Sequence, residues 1–183
     1  MWKLGPALAA GNSVVIKPPE SASLSMLRIC QLAHEAGLPP GVLNVVTGRG
    51  SVVGEALATS MEVDVMAFTG SGPVGRRLLE NAARSNMKRC YLELGGKSPN
   101  IIFEDTADLT QAAKVSAGGI FRNSGQVCIA GSRLLVQENI AEEFLVEMTA
   151  NAQAFQIGDP LDLTSHIGAV HSLSELEANL DFV

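Results

Sequence analysis

Along residues 1–94 the apolar positions alternate between two kinds of spacing. Short runs rich in Val, Ile and other apolar residues, at 13–16, 42–46, 63–68 and 88–94, have the length and side-chain type of strands. Between them the spacing becomes helical. Over 24–36, Leu24, Leu27, Ile29, Leu32 and Ala36 are apolar, and Gly37 supplies a stop. Shorter helices are predicted at 53–59 and 74–83. This βαβα order predicts an α/β fold, a parallel sheet flanked by helices. After Gly95-Gly96 the texture changes. Strands are predicted at 100–103 and 133–136, an Ala- and Gly-rich helix at 109–123, a helix at 140–154 and a turn at 158–161. A domain boundary is expected near Gly95-Gly96. No internal repeat or low-complexity linker interrupts the pattern.

Composition narrows the class. A chain of 183 residues suggests one domain or slightly more, and 46% hydrophobic residues with a mean hydropathy of +0.22 provide for a core. The net charge is −6 and no basic run occurs, so a nucleic-acid partner is not expected. No apolar run approaches the roughly 18 residues of a membrane span. Residues 1–9 mimic a short signal peptide, but Gly5 and Pro6 interrupt the apolar stretch and argue against that reading. Three scattered cysteines do not make a disulfide framework, which points to a reducing, cytoplasmic setting.

The chemistry-bearing residues gather in four places. Gly70-Ser71-Gly72-Pro73-Val74-Gly75 matches G-x-G-x-x-G between a predicted strand and helix. There glycines allow close approach of a pyrophosphate, and a helix N-terminus offers free N–H groups. An ordinary strand–helix turn has the same pattern. A weaker turn of this type is Gly48-Arg49-Gly50 with Gly54. The dinucleotide fingerprint expects an acid about 20 positions on to hold a ribose. Glu93 satisfies that spacing, and it is equally placed to be a general base. Lys17 and Glu20, at the end of the first strand, would face a ligand crevice or line a solvated loop. Cys128 lies in an Asn/Ser/Gly-rich turn, whereas Cys30 falls in a helix and Cys90 in a strand, positions where cysteine packs as a small hydrophobe. A thiol that becomes acylated and a carboxylate that activates water are the two parts needed to oxidise an aldehyde through a thioester. No histidine sits in an evident pairing motif, so a Cys–His peptidase is poorly supported, and no Cys/His spacing suggests zinc.

Taken together, the runs WKLGPALAAGN, VVIKPPE, GLPPGVLNVVTG, FTGS, LELGGKSPNIIF and NSGQVCIAGSR resemble the NAD(P)-dependent aldehyde dehydrogenase superfamily in order and spacing. Ser85-Asn86-Met87-Lys88-Arg89 and the stretch from Ile120-Phe121 to Gly131 are similar to the γ-glutamyl-γ-aminobutyraldehyde dehydrogenases. The resemblance implies that Cys128 is the nucleophile and Glu93 the general base. It implies that Lys17 and Glu20 contact the adenosine ribose, that Gly50 lies near the adenine, and that Gly70 and Ser71, with Gly75 completing the turn, face the pyrophosphate. Trp2 matches a position lining the aldehyde tunnel. Gly72, where the family usually has Thr, and Pro73 depart from the pattern.

The same resemblance implies NAD as cofactor, with NADP as an alternative, and a small-molecule aldehyde as substrate. Residues 1–94 would be the C-terminal half of the NAD(P)-binding domain, Rossmann-like and partial, and 95–183 the N-terminal half of the catalytic domain. The chain would begin inside one helix and end inside another. It would lack an upstream Asn of the oxyanion hole, a downstream Glu on the nicotinamide ribose, and the strands through which full-length relatives form homo-oligomers. The alternative is a truncated, catalytically inactive fragment.

Overall fold

The computed structural model describes residues 2–183, which divide into two compact units, 2–94 and 95–183. The first unit runs α1 (Leu4–Ala9), β1 (Val14–Ile16), α2 (Leu24–Glu35), β2 (Leu43–Val45), α3 (Glu55–Thr59), β3 (Val65–Thr69), α4 (Gly72–Ala83) and β4 (Arg89–Glu93). β1 pairs with β2 in parallel, Val14 opposite Leu43, and β3 with β4, Val65 opposite Arg89. Among the described residues no ladder joins the two pairs. The architecture is therefore α/β with small parallel sheets, not one continuous sheet.

Several element ends differ from the sequence pattern for local reasons. One π-helical turn, Gly50–Gly54, precedes α3 where a helix was expected from residue 53. α1 forms despite Gly5 and Pro6, because a proline in the first turn forfeits no intrahelical hydrogen bond. At the start of β4 the polar groups of 85–88 clasp the preceding elements. Lys88 is buried, and its Nζ donates to the Ala58 carbonyl at 2.7 Å and to Ser85 Oγ at 2.8 Å, capping the end of α3. Asn86 Nδ2 donates to the carbonyls of Met61 and Val63. Both interactions hold the entry to β3 beside the entry to β4, and so set which residues face each other four positions on.

The second unit runs β5 (Pro99–Ile102), α5 (Leu109–Phe121), β6 (Arg133–Val136), α6 (Ala141–Gln153) and α7 (Leu173–Leu180). β5 and β6 pair in parallel, Pro99 opposite Arg133. The core lies between this pair and the two long helices, where Ile102, Ala113, Ala117, Phe144 and Met148 are buried together. Alanines on α5 let α6 approach closely enough for Phe144 to be fully enclosed. Asp108 caps α5 by accepting from the Gln111 N–H at 2.8 Å, and Asn100 Nδ2 ties β5 to Ser116 on α5. α5 stops at Phe121 instead of Asn123, for a reason that belongs to the site. α7 closes at Leu180, ahead of Asp181-Phe182-Val183, which the resemblance had set inside a helix. Among the described residues, no helix is long and apolar enough to cross a membrane.

Candidate active site

Within the first unit, the carboxyl ends of β1 and β2 open a crevice of about 210 Å³, lined by Pro18, Pro19, Glu20, Ser23, Thr47, Gly48 and Arg49. Glu20 and Gly50, separated by thirty positions in sequence, meet here. The Gly50 N–H donates to Glu20 Oε1 at 2.7 Å. A carboxylate held by a backbone donor is fixed in place, and its second oxygen is left to accept from a ligand hydroxyl. Gly48 makes the turn possible: its φ is +139°, and a Cβ there would stand 2.7 Å from Val53 Cγ2. Lys17 follows directly on the end of β1. Its Nζ donates to the Pro18 carbonyl at 3.0 Å, and it is not among the groups lining the crevice. Arg49, which the sequence pattern did not single out, is.

At the ends of β3 and β4, Thr69 lies opposite Glu93, and the Gly70 N–H donates to the Glu93 carbonyl at 3.0 Å. Gly70 therefore contributes space, since its own donor is taken, and the Phe68 ring occupies the volume a side chain would need. Ser71 is the N-cap of α4 in extended conformation, and its side chain makes no capping bond. Gly72 and Val74 start the helix with N–H groups that have no partner within it, whereas Pro73 has no N–H to offer. Gly75 is buried against β4. A Cβ there would lie 2.9 Å from Leu94 Cδ2, so this glycine allows close helix–strand packing. The Glu93 side chain projects from the end of β4 and is exposed. Trp2 is 89% exposed and stands beside Lys3, Leu4 and Ile16.

In the second unit the chain leaves α5 through three consecutive left-handed residues, Asn123, Ser124 and Gly125, with φ of 55°, 57° and 74°. Two of the three are not glycine, a costly arrangement of about 1–2 kcal/mol each that persists only where neighbours enforce it. Those neighbours are identifiable. The Gln126 N–H donates to the Asn123 carbonyl, Asn123 Nδ2 donates to the Gln126 carbonyl, and Ser124 Oγ donates to the Gly168 carbonyl at 3.0 Å. The reversal ends α5 early and presents Cys128, whose side chain is exposed. Two glycines seat the loop behind it. A Cβ on Gly96 would lie 3.0 Å from the Cys128 carbonyl oxygen, and one on Gly131 would lie 3.0 Å from Asn100 Cβ. The Cys128 N–H donates to no backbone carbonyl among the described residues. An exposed thiol on a braced loop with its own amide unspent has the parts of a nucleophile and one oxyanion donor.

The sequence profile described as the aldehyde dehydrogenase family matches residues 1–183. The chain belongs to the aldehyde dehydrogenase family. It is 54% identical over 182 residues to the NADP/NAD-dependent aldehyde dehydrogenase PuuC of Escherichia coli (strain K12), covering 100% of this chain and 37% of that protein. The structure superposes with TM-score 0.96 on the γ-glutamyl-γ-aminobutyraldehyde dehydrogenase of Burkholderia cenocepacia J2315, at 51% identity, covering 99% of this chain and 36% of the other. It superposes with TM-score 0.97 on a mutant of the P. syringae indole-3-acetaldehyde dehydrogenase AldA in complex with NAD+ and IAA, at 49% identity, covering 99% and 37%. The chain thus spans little more than a third of the length of these relatives.

Within this aldehyde dehydrogenase chain the other thiols are set apart from Cys128. Cys30 is half-buried on α2, and burial pushes its pKa up. Cys90 is half-buried on β4, with its Sγ directed at the Lys88 carbonyl. His166 is engaged elsewhere: its Nδ1 accepts from the Gln156 N–H at 3.0 Å and its ring packs edge-on against Phe155.

Proposed function

We propose that this chain carries the nucleophile, the general base and part of the dinucleotide site of an NAD(P)-dependent enzyme that oxidises an aldehyde to a carboxylic acid. The observation that supports this most is the Cys128 loop, where three left-handed residues and a glycine contact present an exposed thiol beside an unspent amide. Cys128, as thiolate, adds to the aldehyde carbonyl carbon. Its N–H donates to the oxygen that takes on charge. NAD(P), held by the first unit, would supply the hydride-accepting chemistry that thioester formation on Cys128 requires. Glu93 then takes a proton from water, and the hydroxide so formed displaces the Cys128 thiolate to release the acid.

The crevice of the first unit suits one part of a dinucleotide. Its volume is below the roughly 300 Å³ of a whole small-molecule site, and its fixed carboxylate is the group that binds a ribose hydroxyl. Glu20, Gly50 and Ser23 would hold the adenosine portion, and the α4 N-terminus at Ser71 the pyrophosphate. The NAD+ complex of the P. syringae relative supports this reading. The likeness to the Burkholderia γ-glutamyl-γ-aminobutyraldehyde dehydrogenase supports an aldehyde of that kind as the substrate class. In the complete enzyme, Glu93→Gln should lower turnover by about 10²–10⁴ and let an acyl adduct build up on Cys128, detectable by intact mass and peptide mapping. An adduct on Cys30 or Cys90, or undiminished turnover in Cys128→Ala, would overturn the proposal.

A further inference from the structure

Resting on the reading of this crevice as an adenosine site, we infer that Arg49 is a specificity-determining residue that admits a 2′-phosphorylated dinucleotide alongside Glu20. The two groups line the same small cavity with opposite charge. Glu20 is held by the Gly50 N–H, so its charge stays at the crevice in either case. A free ribose 2′-hydroxyl donates to a carboxylate, whereas a 2′-phosphate is repelled by one. Glu20 alone would thus exclude NADP. Arg49 supplies the compensating charge and a planar fork of donors suited to phosphate.

Three observations indicate that Arg49 is available for this task. It forms no ion pair among the described residues, whose two ion pairs are Arg28–Glu35 and Arg77–Glu55. Its backbone is fixed, because its carbonyl accepts from the Val52 and Val53 N–H groups at 3.0 and 2.9 Å, while Gly48 and Gly50 flank it. Of the residues lining the crevice Arg49 is the one cation, while Lys17 donates to the Pro18 carbonyl. Ser23 adds a hydroxyl to the same wall, since it does not cap α2. An arginine near the ribose is the general means by which strand-end crevices accept a 2′-phosphate.

The test is equilibrium binding, by calorimetry on the full chain, of adenosine 2′,5′-bisphosphate and of 5′-AMP. In the unaltered chain both bind, and the bisphosphate weakens more steeply than AMP as salt rises. Arg49→Ala should raise the ratio of the bisphosphate Kd to the AMP Kd by about tenfold to a hundredfold, the loss expected for a hydrogen bond between charged groups. Arg49→Lys should recover part of that loss, and Glu20→Gln should shift the ratio the other way. Equal weakening of both probes in Arg49→Ala, or a ratio that does not move, overturns the role of Arg49 while leaving the adenosine site standing. Failure of both probes to bind the unaltered chain overturns the adenosine reading and the inference with it.

Discussion

The three thiols of this chain differ in what surrounds them, and that difference is measurable residue by residue. Cys128 is exposed, whereas burial raises the pKa of Cys30 and so lowers its thiolate fraction at any given pH. Iodoacetamide should label Cys128 first at neutral pH, with Cys30 labelling faster as the pH is raised. Prior labelling of Cys30 or Cys90 in peptide maps would contradict the assignment. Gly96 offers a second test at this scale. A methyl group there would stand 3.0 Å from the Cys128 carbonyl oxygen, so the loop must give by a few tenths of an ångström. Displacements of that size at a nucleophile should cost about three- to tenfold in turnover. In the complete enzyme, Gly96→Ala should lower turnover by that factor while the melting temperature stays nearly constant.

Elements are held by different forces in the two units. In the second, one aromatic side chain does most of the joining: Phe144 on α6 is fully enclosed by α5 and the β5–β6 pair. Phe144→Ala should destabilise that unit by about 3–5 kcal/mol, through lost burial and the cavity left behind. A shift of the denaturation midpoint well below that size would mean the helices can collapse onto the gap. In the first unit, a buried cation holds α3 to the start of β4. Lys88→Met keeps the aliphatic length but removes the charged donor to the Ala58 carbonyl, leaving it only the longer bond from Ser85 Oγ at 3.3 Å. The expected cost is about 1.5–3 kcal/mol, the range for a hydrogen bond to a charged group. Urea unfolding of the two variants, followed by hydrogen exchange in each unit, would assign each loss to its element.

At the scale of the whole molecule, apolar surface is the dominant feature. Leu24, Met61 and Met87 in the first unit and Ile129, Val146 and Leu163 in the second are exposed. Among the described residues each strand has a single hydrogen-bonded neighbour, so every ladder has open edges. Exposed apolar side chains and unpaired strand edges both favour pairing with another copy. The chain should therefore self-associate. Sedimentation velocity should show species larger than the monomer that gain share as concentration rises, and a single monomeric boundary across the range would refute this.

Much of this protein can be read directly from residue order. The switch between apolar runs and helical spacing locates every strand within about two residues, because side-chain burial on a strand or helix face leaves a local periodic trace. The run around Cys128 and the glycine pattern at Gly70-Ser71 are equally local. α7 was not read from residue order, although Ser172 and Glu175 make a capping pair and Leu173, Leu176 and Leu180 keep helical spacing. What periodicity does not carry is any fact that joins distant positions. The grip of the Gly50 N–H on Glu20, the burial of Lys88 under α3 and the presence of Arg49 beside Glu20 in one crevice each depend on segments tens of residues apart. So does the left-handed turn before Cys128, which Ser124 sustains through Gly168. Residue order determined the elements and the reactive residue types, since these follow from local sterics and local burial. Tertiary structure alone decided which charges share a cavity and which donors are already spent, because hydrogen bonding and charge pairing depend on distance in space.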